Sequence, residues 1–263
     1  MAKVEVGKPE GRMTIQNLPV KLKKEPLVDA IFEIRFSSSQ AASTVLPGFF
    51  FAKLLPVTWR IETLPMAEIP NQLRSSDPKL RYQPLMRIHW DDFILMIGDR
   101  SLGVACKMPY IGWSAFKNRI VHIFKILFDA KVIQTVERYS LKYVDVVSGK
   151  DLKEQIARVN IDLRVGSHTI NQQLFTIRVE IPHDNFRNVI QIAADVTAKI
   201  SDGQLRKGSL VDIDTICTYN STDLSTFANE LPERLEAIHI ENKKMFFDCL
   251  KPETIEYLEP VYG

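Results

Sequence analysis

The chain is poor in cysteine and in net charge, and it has no long apolar run. Among 263 residues there are three cysteines, Cys106, Cys217 and Cys249, widely separated and without a CxxC pair. That argues against a disulfide framework or a cysteine-based zinc site, and it fits a reducing, cytoplasmic setting. Lys and Arg number 34 against 32 Asp and Glu, a net charge of +2, so no whole-chain field draws the protein to nucleic acid or to a membrane. No apolar stretch approaches the roughly 20 residues that span a bilayer. Residues 1–24 lack the apolar centre of a signal peptide. No HExxH, GxSxG, kinase-like or Cys–His nucleophile signature is present. The expectation therefore leans away from an enzyme, with no catalytic residue, metal or cofactor assigned.

What is present is an ordinary globular composition, 45% hydrophobic and 25% charged, enough apolar mass for one large domain or two. Charge is uneven along the chain. Residues 1–131 carry 19 basic and 12 acidic side chains, which makes that part +7 and the remainder −5. An anionic partner for the first half, two halves facing each other, or chance plus a basic leader would each give this asymmetry.

Hydrophobic periodicity supplies the elements. Residues 1–25 are polar, with Lys21, Lys23 and Lys24, and read as a flexible arm. Val28, Ala30, Phe32, Ile34 and Phe36 then alternate with more polar residues as a half-buried strand. A short helix over 44–55 and a strand over 59–64 follow. Pro65, Pro70, Pro78 and Pro84 punctuate a long connection, expected to be mobile or to touch a partner. Strands over 85–90, 93–97 and 101–107 precede a helix in which Trp113, Phe116, Ile120, Ile123 and Leu127 recur at 3–4 spacing. Tyr139, Leu141 and Tyr143 mark the next strand. The order then repeats: a short helix over 151–159, strands over 161–165, 175–181, 187–199 and 210–219, and a last helical region with Leu235, Ile238 and Phe246. Pro232 is expected to break that region.

These patterns predict an α+β fold of two tandem halves, 26–131 and 132–263. Each reads β-α-β-β-β-β-α and grips its long helix with an antiparallel sheet. Two such sheets can join edge to edge into a ten-stranded saddle, similar in inferred topology to the TATA-box-binding fold. Phe32, Trp113, Phe116, Tyr143 and Phe246 are expected core residues. Gly112 is read as avoiding a clash where the helix meets the sheet. Arg138 is expected to pair with Glu33 or Asp145, and Tyr262 to pin the C-terminus.

The chemistry searched for is mostly structural. The glycines of 203–209 have the spacing of a phosphate loop but lack the following lysine, and a hairpin turn suits them better. Asp212 and Asp214 share one face of a strand, without a third ligand nearby in sequence, and read as a solvated sheet face. His89, His122, His168, His183 and His239 show no metal-ligand spacing. His239 shares a helical face with Leu235, Asn242 and Phe246. Arg35, Arg87, Lys142 and Arg178 each lie on a predicted strand, on the face opposite the apolar set. They would contact phosphates if they lined one open surface, or pair across strands with acids such as Glu33 and Glu180.

Three stretches carry a resemblance: residues 26–36 (PLVDAIFEIRF), 110–116 (YIGWSAF) and 137–143 (ERYSLKY), together with a C-terminal run ending in Pro260, Val261 and Tyr262. Over nearly its full length the chain resembles a sporadically distributed, uncharacterised bacterial family found near mobile elements and defence or toxin–antitoxin loci. The resemblance carries no catalytic residues. It implies a non-enzymatic binding component of such a system, contacting a protein partner encoded by a neighbouring gene. Nucleic-acid binding by the basic sheet face and sensing of a small molecule or nucleotide between helix and sheet are the alternatives. A homo-oligomer is possible, and no membrane is expected.

Overall fold

The computed structural model describes residues 18–54, 60–200 and 203–263. The short strand β1 (Lys21–Leu22) leads into β2 (Leu27–Ser38), α1 (Ala42–Lys53), β3 (Arg60–Thr63), a 3-10 turn over Pro65–Glu68 and α2 (Asn71–Ser76). The hairpin strands β4 (Pro84–Trp90), β5 (Phe93–Gly98) and β6 (Ser101–Cys106) precede α3 (Trp113–Asp129). Then come β7 (Ile133–Val147), α4 (Leu152–Arg158), β8 (Arg164–Val165), β9 (His168–Thr169), β10 (Thr176–His183), β11 (Phe186–Lys199) and β12 (Leu205–Ser221). The chain ends with α5 (Leu224–Asp248), α6 (Pro252–Tyr257) and β13 (Pro260–Val261).

The fold is α+β. Nine strands form one antiparallel sheet in the order β10-β11-β12-β7-β2-β6-β5-β4-β3. β2 and β7, the first long strand of each half, pair at its centre from Leu27 opposite Asp145 to Ser38 opposite Ile133. Outward from that pair each half runs from its last strand back towards its earlier ones. The expected tenth strand is not part of this sheet. Residues near 161–165 instead supply β8, which pairs only with β9 in a separate two-stranded ribbon.

Alternation on β2 sends Ala30, Phe32, Ile34 and Phe36 to one face, all fully buried. α3 and α5 cover that face. Phe116, Ile120, Ile123, Phe124 and Leu127 of α3 join Phe227, Leu231, Leu235 and Ile238 of α5 in one apolar cluster with β2 and β7. The Phe32 and Phe124 rings meet edge to face at 5.1 Å. A second cluster lies under β11 and β12, where Phe246 and Phe247 pack with Ile255 of α6 and Leu258 just after it.

Several local expectations are corrected. Pro232 lies inside α5, which is continuous for 25 residues. Proline removes one helical hydrogen bond and costs about 3 kcal/mol in a helix interior. Leu231 and Leu235 beside it are buried, and about 1.5–3 kcal/mol for each buried leucine offsets that loss. Of the expected arm, residues 1–17 lie outside the described residues, whereas Lys21 and Leu22 pair with Val261 and Pro260. Tyr262 is 55% exposed and so is not anchored in the core; this strand pair holds the C-terminus. Gly112 is required by its conformation (φ +91°) and not by crowding, since a Cβ there would meet nothing within 4 Å. The proline-punctuated connection is structured. Arg74 donates to Asp99 Oδ2 from Nε (3.2 Å) and Nη2 (2.8 Å), tying α2 to the β5–β6 turn.

Candidate functional site

The four cations expected to line an open basic surface each have a carboxylate partner. Arg35 Nε lies 2.7 Å from Glu33 Oε1, and Lys142 Nζ 2.8 Å from Asp212 Oδ2. Arg178 Nη1 lies 2.8 Å from Glu180 Oε1, and Arg87 Nη1 3.8 Å from Glu62 Oε1. Arg35 and Arg138 are directly opposite each other on β2 and β7. Glu33 Oε1 bridges them, accepting from Arg138 Nη2 at 3.3 Å. Asp145 is not a partner of Arg138, because strand alternation places it on the helix-covered face. Around this depression, of about 190 Å³, Asp214 and Arg138 add one charge of each sign. The structure therefore brings Arg35, Arg138 and Lys142 together, but on a mixed-charge face. Arg87 and Arg178 lie towards opposite ends of the sheet.

A different place gathers unusual side chains. A cavity of about 320 Å³ opens between the C-terminal half of α5, the β7 end of the sheet, the entry to α3 and the chain over 19–27. Tyr110, Trp113, Tyr143, Leu27 and Phe246 give it an apolar, aromatic wall, and Glu25, Asp145, His239, Asn242 and Lys243 give it polar groups. Each polar group is there because a regular element carries it inward. On β7, Tyr139, Leu141, Tyr143 and Asp145 alternate towards the helices. On α5, the buried stripe of Phe227, Leu231, Leu235 and Ile238 continues to Asn242 and Phe246 at the same 3–4 spacing. Asp145 and Asn242 thus stand at positions where the pattern calls for apolar residues.

Burial shifts the protonation of these groups. Burial is the first cause that pushes the Asp145 carboxyl well above its ordinary value, with the nearby Glu25 adding to it and Arg206 opposing. Glu25 is itself raised by burial against the pull of Lys21 and Arg206. His239 is pushed down to about 3, first by burial and then by Lys243, so its imidazole is neutral. Its ring stacks on Trp113 at 4.0 Å and 4°. Trp113 Nε1 in turn donates to Glu236 Oε2 at 2.9 Å. Trp113 is accordingly only half-buried, whereas Phe32, Phe116, Tyr143 and Phe246 are core as expected. The Tyr110 and Tyr143 hydroxyls are 2.9 Å apart. One donates to the other, which leaves a single hydroxyl proton to give. Lys243 has no ion pair among the described residues, and burial lowers its pKa.

Behind the cavity wall runs a polar chain of one direction. Asn242 Nδ2 donates to Thr215 Oγ1 (3.0 Å) and to the carbonyls of Leu141 and Ile213. Thr215 Oγ1 donates to Asn188 Oδ1 at 2.7 Å, and Asn188 Nδ2 donates to Glu241 Oε1 at 2.7 Å. His183 Nδ1 meets the other oxygen, Oε2, at 3.0 Å. The chain fixes which way the Asn242 amide faces, and its Oδ1 has no partner among the described residues.

The other histidines are placed singly: His89 against Glu62, His122 beside Trp90, and His168 on the β8–β9 ribbon. Among the described residues no three His, Cys, Asp or Glu side chains group so as to hold a metal ion, and no helix is long and apolar enough to cross a membrane. Of the glycine-spaced segment at 203–209, Gly203 (φ +89°) donates to the Ile200 carbonyl in the β11–β12 connection, whereas residues 205–209 belong to β12, with Gly208 opposite Val196. Sequence reasoning singled out His239 and Asn242 as sharing a face, but not Asp145 or Lys243 as cavity groups. No protein-family model matches the chain, and none of the curated proteins matches it. The family resemblance and the role it implies therefore rest on the sequence motifs alone.

Proposed function

We propose that the protein is a ligand-binding module that holds a small organic anion with a flat or apolar body in the cavity beside α5. Lys243 carries this reading, a half-buried ammonium without a carboxylate partner among the described residues, set in an aromatic wall. The spare proton of the Tyr110–Tyr143 pair supplies a further donor, and burial makes the Asp145 carboxyl hold its proton to higher pH than an ordinary carboxyl. Glu25 and neutral His239 supply acceptors. A mainly apolar pocket with a few convergent polar groups is the usual form of a small-molecule site. Nucleotides and aromatic carboxylates are the natural candidates. Nucleic-acid binding on the open sheet face has less support, because its four cations already face carboxylates. The wider role implied by the resemblance, a defence or toxin–antitoxin component acting through protein contact, is a proposal on sequence grounds. A ligand cavity would make such contact conditional.

A ligand that binds only the folded state raises its stability, by about 2.7 kcal/mol at a concentration 100 times Kd. The test is a thermal-shift panel of nucleoside mono- and diphosphates and aromatic carboxylates at millimolar concentration. At least one member is expected to raise the melting temperature of the wild type and to lose that effect in Lys243→Met. A flat response across the panel, or a shift that Lys243→Met leaves unchanged, overturns the reading.

A further inference from the structure

β10 ends the sheet, and among the described residues one side of it faces no other strand. Its partner on the other side is β11, with His183 opposite Phe186 across the two-residue turn at Asp184 and Asn185. Closing pairs of two-residue hairpins are hydrogen-bonded, and bonded pairs recur every second residue. Ile181, Val179 and Ile177 therefore bond to β11, and Thr176, Arg178, Glu180 and Pro182 direct their backbone groups outward. The proline agrees with this parity, since a residue without an N–H belongs on the free side of an edge strand. Val179 and Ile181 are 42% and 40% exposed. The edge is thus eight residues long and partly apolar, whereas the opposite edge, β3, has four residues.

We infer that two copies of this chain pair antiparallel through β10, with Val179 on the twofold axis. In that register Arg178 of each copy lies opposite Glu180 of the other, and Ile177 opposite Ile181. Both charge pairs complement, and Arg178 and Glu180 are the outward-bonding residues, so they form the two hydrogen-bonded pairs nearest the axis. Neighbouring registers are opposed. An axis at Arg178 sets arginine against arginine, and one at Glu180 sets glutamate against glutamate, and like charges directly opposite destabilise strand pairing. Arg178 and Glu180 already pair within the strand, and Arg187 reaches Glu180 at 3.3 Å, so the dimer redistributes existing partners. Pro182 limits the pairing, since only one of the two bonds between Thr176 and Pro182 forms.

Sedimentation velocity over a range of concentrations tests the inference. Wild type is expected to show a monomer–dimer equilibrium and Val179→Lys a monomer, because a lysine at the centre of an edge blocks strand addition. Arg178→Glu alone and Glu180→Arg alone are each expected to weaken the dimer about tenfold, and the double exchange to restore it. All of these positions are exposed, and unchanged circular dichroism and melting show that each variant folds. A wild type monomeric at every concentration overturns the inference. So does a dimer indifferent to Val179→Lys, or a double exchange as weak as the single ones. None of these results bears on ligand binding at Lys243, so the two readings fail separately.

Discussion

At the residue scale, Asp145 is the clearest break with its surroundings. It occupies an inward position on β7 between Tyr143 and Val147, where alternation calls for an apolar side chain. Burial, with Glu25 close by, holds its carboxyl protonated far above the ordinary value of 3.8. A group whose folded pKa is raised stabilises the fold fully below its unfolded pKa and loses that contribution as pH rises through the folded one. Asp145 therefore weakens the fold progressively above about pH 4. Asn has the same shape and cannot ionise. Asp145→Asn is expected to melt above wild type at pH 7 to 8, with the margin vanishing near pH 4, as differential scanning calorimetry across that range would show. Glu25 contributes with the same sign and remains in both proteins. A margin independent of pH would mean that the Asp145 charge is not what the fold resists. Lys243 is the complementary case, a cation whose pKa burial lowers and which has no ion pair among the described residues.

At the element scale, α5 joins the core to the cavity. Asp223 caps its first turn, accepting from the Thr226 N–H at 2.9 Å. Its buried stripe changes from leucine and isoleucine to Glu241 and Asn242 as it passes the cavity. His239 lies at that change. Burial is the largest cause that lowers its pKa; Lys243 and Lys117 facing it act the same way, and Glu236 opposes them. With a folded pKa of about 3 against an ordinary 6.5, the unfolded chain takes up this proton first. Stability through His239 is complete above pH 6.5 and falls as pH drops towards 3. His239→Phe keeps a ring against Trp113 and removes the titration. Its stability between pH 6.5 and 3 is expected to fall less steeply than that of wild type in urea titrations at fixed pH. An equally steep acid limb would place the sensitivity elsewhere. The regular part of α5 was legible in sequence, since Leu235, Ile238 and Phe246 follow helical spacing. Pro232 misled because local propensity says nothing of the tertiary burial on either side. The cavity was nearly illegible, because residues 19–27, 110–113, 143–145 and 239–246 meet only in the folded chain. Its sole local traces are polar residues at apolar positions, Asp145 on the strand and Asn242 on the helix.

At the scale of the whole molecule, the two halves share more than a boundary. β2 and β7 pair along nearly their full lengths at the centre of the sheet. The main apolar cluster draws Phe32, Phe116 and Phe124 from the first half, and Tyr139, Phe227, Leu231 and Leu235 from the second. The order of strands was readable because hairpin signals and the β-α-β pattern recur. The count of strands was not, because whether residues 161–165 join the sheet depends on what lies beside them. A half produced alone would expose the edge of β2 or of β7, together with the apolar face that α3 and α5 now cover jointly. Long, partly apolar edges of this kind aggregate. Residues 1–131 and 132–263 produced separately are therefore expected to be insoluble or self-associated. Co-produced from two genes, they are expected to co-purify as one stoichiometric particle with the circular dichroism of the intact chain, because the connection between α3 and β7 is short and adds little to the pairing itself. Recovery of either half as a cooperative, monomeric fold would mean that each closes its own core and that the β2–β7 pair is a docking contact between independent domains.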